Sequence, residues 1–321
     1  MASEKNNLLI IDGNAIVHRA YHALPPLVNK KGEETGAIYG FLLAFFKAIK
    51  DFSPDYVAAC FDFPAPTFRK EISKDYKATR AKADPELYAQ IPGVKNVLNF
   101  FGVSVFEKQG FEADDLIGTI SCLARSAGSE LPVRSVILSG DCDVLQLVND
   151  LTSACILRRG VKDTLVFDEK LVFEKYGINP GQLVDYKALR GDPTDNIPGV
   201  KGIGPKTALE LLSCFQTLDF LYQKIEQDDK GAGKLSLKLA EMLLGQKEQC
   251  LTSRKLAQIR TDVPVDFNLD LCRWDNYDIE KAKKALEDLG FFSLVKRLPG
   301  SGAEDVENAP RPVFKKNLKL W

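Results

Sequence analysis

Three short runs of the chain carry apolar residues almost without a break: Leu8-Leu-Ile-Ile-Asp12, Tyr56-Val-Ala-Ala-Cys-Phe-Asp62 and Ser135-Val-Ile-Leu-Ser-Gly-Asp141. Continuous rather than alternating hydrophobicity is the pattern of strands covered on both faces, as in a parallel sheet. Each run ends in an aspartate. Around them stand longer segments with apolar residues at helical spacing, over 37–50, 85–101 and 113–127. This alternation predicts an α/β domain built on a mainly parallel central sheet. Sites in open sheets of this class form beyond the carboxyl ends of the strands, where Asp12, Asp62 and Asp141 would project.

From about residue 171 the pattern turns helical, most clearly over 206–213, 235–249 and 279–289. The expected division is an α/β domain over 1–170, a helical domain over 171–298, and a Gly/Pro/acidic linker with a short tail over 299–321. The composition of the 321 residues, 45% hydrophobic and 27% charged, suits two folded units and excludes disorder, collagen and coiled coil. No apolar run approaches the ~20 residues that cross a bilayer, and the first residues lack a signal peptide's apolar core. A cytoplasmic protein without a membrane partner is expected. Seven cysteines, none in a C-x-x-C pair, read as reduced thiols rather than a disulfide frame or a zinc knot.

Acidic residues then cluster a second time. Gly110-Phe-Glu112-Ala-Asp114-Asp115, Gly140-Asp141-Cys-Asp143 and Gly191-Asp192-Pro-Thr-Asp195-Asn196 each place carboxylates at the end of an element. Taken singly, such groups are helix caps or turn residues. With Asp12 and Asp62 they make nine acids, three of which the topology sends to one edge of one sheet. So many anions repel or take up protons unless cations sit among them. Oxygen ligands without a His or Cys cluster suit Mg²⁺ or Mn²⁺ rather than zinc. His18 and His22 share a helix face but lack a third ligand. Two such ions about 4 Å apart clamp the attacking and leaving oxygens of a phosphodiester.

The net charge is only −1, so the distribution of basic residues matters more than their number. Residues 69–82 hold six Lys/Arg against two acids and read either as a solvated face or as a basic wall, with Tyr76 placed to stack on an unpaired base. Gly199-Val-Lys201-Gly202-Ile-Gly204-Pro-Lys206-Thr207-Ala leads into a helix, with backbone N–H groups and flanking lysines suited to a phosphate. It is not a Walker A loop; it fits the helix-hairpin-helix type of duplex-backbone binder. Arg19, just after Asp12-Gly-Asn14, is a further candidate phosphate contact.

These motifs together resemble the 5' nuclease, or flap endonuclease, superfamily, in particular the N-terminal 5'-3' exonuclease domain of bacterial DNA polymerase I. The match is carried by I-D-G-N at 11–14, V-H-R-A-Y-H at 17–22, F-D at 61–62, Y-K-A-T-R at 76–80, G-F-E-A-D-D at 110–115, S-G-D-C-D at 139–143, G-D-P-T-D-N-I-P-G-V at 191–200 and K-G-I-G-P-K-T-A at 201–208. It spans residues 6–298 and implies a PIN-like sheet, a helical arch or clamp at about 66–95 and a C-terminal helix-hairpin-helix domain. The implied activity is Mg²⁺- or Mn²⁺-dependent hydrolysis near the 5' end of a strand at a flap, nick or gap in DNA, with RNA–DNA hybrid as a further substrate.

Asp12, Asp62, Glu112 and Asp114 would serve one ion and Asp141, Asp143, Asp192 and Asp195 a second, with Asp115 nearby and shared or water-mediated. Lys77 and Arg80 would steer the scissile phosphate, with Tyr76 beside them. The turn at 199–204 would hold duplex, with K⁺ on its carbonyls. Cys142 stands where this family commonly has lysine, which removes a cation but no carboxylate. A monomer working with a DNA polymerase is expected. The competing readings are a catalytically silent binder of DNA structures and a PIN-type ribonuclease; the latter does not account for the hairpin.

Overall fold

The computed structural model describes residues 6–80, 84–127, 132–227, 235–274 and 277–298. The expected linker and tail at 299–321, and residues 81–83 of the expected arch, lie outside the described residues. Strands β1 (Asn7–Asp12), β2 (Tyr56–Cys60), β3 (Ser104–Phe106), β4 (Arg134–Ser139), β5 (Thr152–Leu157) and β6 (Thr164–Phe167) form one sheet in the order β3-β2-β1-β4-β5-β6. The first five are parallel, and β6 runs antiparallel to β5.

Alternation along each strand feeds two cores. Leu9, Ile11, Val57, Ala59, Val136 and Leu138 face one side, where α1 (Gly13–Ala23), α2 (Gly36–Phe52) and α4 (Pro85–Phe100) pack. Leu8, Ile10, Ala58, Cys60 and Ile137 face the other, under α5 (Ala113–Ala127). Both faces are therefore dry, which is why the strands read as unbroken apolar runs. The strand order reverses between β1 and β4, the switch point where an open sheet leaves a crevice at its carboxyl edge. Asp12 ends β1, and Asp141 follows β4 by two residues.

After α6 (Glu169–Tyr176) the chain builds a separate helical core from α7 (Leu183–Arg190), α8 (Pro205–Phe215), α9 (Leu218–Glu226), α10 (Leu237–Gly245) and α11 (Lys247–Ala257). The helix expected over 235–249 is two helices, because the chain breaks at Gly245-Gln246. Residues beyond α11 do not stay with the helical unit. Val263, Leu269 and Cys272 enter the core under α5. Ala282 and Leu286 of α12 (Ile279–Asp288) and Leu294 of α13 (Phe292–Val295) enter the opposite one. Within the expected arch, α3 (Phe68–Ile72) is followed by turns from which Tyr76 packs against Ile197, Leu256 and Ala257. Among the described residues no helix is long and apolar enough to cross a membrane.

Candidate active site

The strand ends wire the first carboxylates together. Asp12 caps α1, accepting the Ala15 N–H at 3.0 Å on one oxygen and the Ser139 hydroxyl at 2.6 Å on the other. The same hydroxyl accepts the Asp141 N–H at 2.9 Å, and Asp141 accepts the Asp143 N–H at 3.0 Å. Asp62 accepts the N–H of Ala113, the first residue of α5, at 2.8 Å and donates its own N–H to Asn14 at 3.0 Å. Glu112 and Asp114 flank that helix start, where the positive end of the macrodipole favours anions. Asp12, Asp62, Glu112, Asp114, Asp141, Asp143 and Asp195 all line one cavity of about 390 Å³, with His18, Arg19, Lys77 and Arg80 in its walls.

Crowding these acids out of water raises their affinity for protons. Burial pushes Asp12 up to about 7 against its hydrogen bonds from Ser139 and Ala15, and the charges of Asp62 and Asp141 add to the rise. Burial, with Asp12 and Asp141 adding, holds Asp114 well above the ordinary carboxylate range. Burial and then Glu112 raise Asp62, although the Ala113 N–H opposes them. Asp143 is pushed up to about 6 by burial in spite of Lys187. Buried carboxylates that raise one another's pKa are a donor set that a hard divalent cation fits. Among the described residues, no three acidic, histidine or cysteine side chains are already gathered around one point as ion ligands.

Cations instead stand between the carboxylates. Lys77 Nζ lies 2.9 Å from Glu112 and 4.0 Å from Asp195, and the Arg80 guanidinium pairs with Asp195. Lys187 of α7, which the sequence reading does not single out, bridges Asp143 and Asp192, the latter at 2.6 Å. It thus brings a positive charge from another element onto Asp143, the residue after exposed Cys142. The spacing of the chain carries no signal for this bridge, because Lys187 and Asp143 lie 44 residues apart. Ser139 and Asn14 sit inside quoted motifs, but nothing in those motifs assigns them a partner.

Several expected site residues take other positions. Asp115, read as a nearby or shared ion ligand, is 0% exposed and outside the cavity. Its oxygens accept the Arg69 guanidinium at 2.7 and 2.8 Å and the backbone N–H groups of Glu112 and Arg260 at 3.1 and 2.9 Å. Asp115 is a buried anchor for Arg69, because both of its oxygens are already engaged. Asp192 also lies outside the cavity lining; burial alone would raise its carboxyl, but Lys187 outweighs this and holds it below the ordinary range. Tyr76, read as a base-stacking ring, is 3% exposed and gives its hydroxyl to Glu112 and Asp195. Arg19 lines the cavity and braces the loop beyond β4, donating to the Gly140 carbonyl at 3.1 Å and the Arg158 carbonyl at 3.2 Å.

The glycine-rich turn is built for close backbone approach. Gly199 has φ +63°, and a Cβ there would stand 2.2 Å from the Gly191 nitrogen. Gly202 has φ +97°, and Gly204 precedes α8 as its cap, with Pro205 opening the helix. Lys201, Gly202, Gly204 and Lys206 are exposed and Thr207 is half-buried, while Val200 and Ile203 anchor the turn in the helical core. Four of its carbonyls are already engaged: Gln249 donates to Gly199 at 2.6 Å, Gln246 to Lys201 at 3.2 Å, and the Ile203 and Ala208 N–H groups to Val200 and Gly204 at 3.0 Å each.

Comparison with known proteins places this geometry. Residues 7–177 match the family described as 5'-3' exonuclease, N-terminal resolvase-like domain, and residues 178–280 match its C-terminal SAM fold. DNA polymerase I of Bacillus subtilis is 39% identical over 302 residues, covering 94% of this chain and 33% of that protein. DNA polymerase I of Bacillus caldotenax is 37% identical over 310 residues, covering 97% and 34%. The chain thus spans about a third of the length of these relatives. Among solved structures, T5 5'-exonuclease with bound zinc shares the fold at a TM-score of 0.62 and 21% identity, covering 88% of this chain and 99% of that one. The catalytic core of Rad2 with DNA substrate does so at 0.56 and 13%, covering 90% and 88%. With the sheet and the helical unit each matched by one half of the same family, the chain belongs to the 5'-3' exonuclease family and is a nuclease.

Proposed function

We propose that the chain hydrolyses DNA phosphodiesters near free 5' ends, at flaps, nicks and gaps, with two divalent ions, Mg²⁺ or Mn²⁺. The observation that carries this reading is the convergence of seven carboxylates from separate segments on one cavity, six of them buried or half-buried and Asp62 at its exposed rim. The T5 flap endonuclease, solved with DNA and metal ions, shares the fold and supports it. Neither a silent binder nor a PIN-type ribonuclease is favoured, since the family matches cover the helical unit as well as the sheet. Asp12, Asp62, Glu112 and Asp114 would hold one ion. Asp141, Asp143 and Asp195 would hold the other, with Asp192 reached once Lys187 turns away. Asp115 is left out because Arg69 occupies it.

Bound ions supply a water of lowered pKa and neutralise charge on the phosphate. The chain's own part is to surrender the protons that burial keeps on Asp12 and Asp114, and to present Lys77 and Arg80 to the scissile phosphate. Arg19 adds a cation at the cavity wall. The turn with exposed Lys201, Gly202, Gly204 and Lys206 and half-buried Thr207 holds duplex backbone, and K⁺ would sit on those of its carbonyls that hydrogen bonds leave open. We place the chain in the cytoplasm as a monomer, working beside a DNA polymerase activity of the kind its relatives are named for, with RNA–DNA hybrids among its substrates. Incubation with a 5'-flap duplex, a blunt duplex and single-stranded RNA, each with Mg²⁺ or chelator, tests the proposal. Ion-dependent cleavage of the flap to 5'-phosphorylated products is expected; RNA cleavage alone, or none, defeats it.

A further inference from the structure

Tyr76 lies against the ion-binding cavity yet is turned away from solvent. Its ring packs among Ile197, Leu256 and Ala257. Its hydroxyl lies 3.2 Å from Glu112 Oε2 and 3.3 Å from Asp195 Oδ2. Those carboxylates belong to opposite walls: Glu112 precedes α5 on the sheet side, and Asp195 sits in the turn after α7 on the helical side. The backbone around Tyr76 is fastened to the same turn. The Lys77 N–H donates to the Asp195 carbonyl at 2.9 Å, and the Asn196 amide donates to the Asp75 carbonyl at 2.7 Å. Lys77 is held at φ +55°, a left-handed conformation that a lysine keeps only when its surroundings fix it.

Three donors of segment 75–80 therefore share two carboxylates, with Arg69 a further 3.5 Å neighbour of Glu112, and the three differ in charge. A divalent ion entering the cavity repels Lys77 and Arg80 but not a neutral hydroxyl. The cations are free to leave for a phosphate while the hydroxyl stays. We propose that Tyr76 is a positioning residue whose hydroxyl keeps Glu112 and Asp195 at a fixed separation, so that the two ion sites form together and ion uptake is coupled to the docking of segment 75–80. This rests on the reading above that the cavity takes divalent ions, and it assigns Tyr76 to the carboxylates rather than to a nucleobase.

Calorimetric titration of Mn²⁺ into the full chain without nucleic acid tests it, comparing wild type with Tyr76→Phe, which keeps the ring and removes the hydroxyl. The expected result is a 5- to 10-fold loss of Mn²⁺ affinity. Flap-duplex affinity in chelator should stay within twofold of wild type, and the lowered kcat should recover at high Mn²⁺. Unchanged Mn²⁺ affinity overturns the proposal. So does unchanged Mn²⁺ affinity with weakened duplex binding, which would return Tyr76 to the DNA. Wild type that takes up no Mn²⁺ sinks this inference and the ion-dependent function together, whereas a normal wild-type titration matched by the variant sinks this inference alone. Should the variant not fold, amide exchange in wild type decides. The Lys77 N–H is expected to exchange several-fold more slowly with Mn²⁺ present, and unchanged exchange overturns the coupling.

Discussion

Asp115→Asn separates two readings of the same acidic group. If Asp115 ligates an ion, the variant loses ion affinity and little else. In the structure its carboxylate is the counter-ion of Arg69, which is itself 2% exposed and also donates to the Leu256 carbonyl at 2.9 Å and the Gln258 carbonyl at 2.8 Å. Neutralising Asp115 leaves a buried guanidinium whose next carboxylate, Glu112, stands 3.5 Å away. Removing one partner of a buried pair costs about 3–5 kcal/mol, and the residual contact with Glu112 sets the expectation near the lower end, about 3 kcal/mol. That is a large part of the ~5–15 kcal/mol by which a domain is folded, and at about 2–4 °C per kcal/mol it lowers Tm by roughly 6–12 °C. The pair Arg69→Met with Asp115→Leu should recover much of the loss, because matched apolar replacement removes both desolvation costs. Urea unfolding at pH 7 and Mn²⁺ calorimetry on the same samples form the assay. A variant as stable as wild type but with Mn²⁺ affinity down tenfold would refute the ion-pair account and restore Asp115 as a ligand.

Asp141→Asn is expected to abolish flap cleavage while leaving flap binding within a few-fold, measured by single turnover and by anisotropy in chelator; unchanged turnover contradicts the site. Lys77→Ala should slow cleavage more than it weakens binding, whereas Lys201→Ala should weaken duplex affinity and reduce the slope of log affinity against log salt by about 1. Equal effects of both variants on both quantities would dissolve that division of labour. Because the folded-state values of Asp12, about 7, and Asp143, about 6, lie above the ordinary 3.8, both groups favour folding most below pH 3.8. Their contribution is lost as pH rises through 6 to 7. Ion-free protein should therefore lose stability from these groups between pH 4 and 7, and Mn²⁺ uptake at pH 6 should release protons. Identical apparent binding heats in buffers of different ionisation enthalpy would show that it does not.

What the sequence reveals follows from how far apart the interacting groups lie. Strands β1, β2 and β4 are legible because burial on both faces leaves an unbroken apolar run, and their carboxyl ends then locate Asp12, Asp62 and Asp141 without further information. Strand β5 is fully buried but written Thr-Ser-Ala-Cys-Ile-Leu, so its polar start conceals it. The three half-buried residues of β3 form too short a run to register. The spacing of Glu112 and Asp115 correctly puts them at one helix start, yet it cannot show Arg69, 46 residues upstream, claiming the second of them. Tyr76 is misread for the same reason: a Tyr among lysines looks solvent-facing until Ile197 and Leu256 close over it. Local pattern fixes which residues reach the sheet edge, and long-range partners fix what each one does there.

The return of residues 263–274 and 277–298 to the two faces of the sheet changes what the helical unit is. It is a loop-out between two chain segments that are each rooted in the same foundation, one through β6 and α6, the other through Leu269, Leu286 and Leu294. A body held at one end can swing, but one held at both is a bracket. If the turn at 199–204 grips duplex as proposed, its gap to the cavity is a fixed gauge, and that gauge would set how many nucleotides separate the held duplex from the bond that is cut.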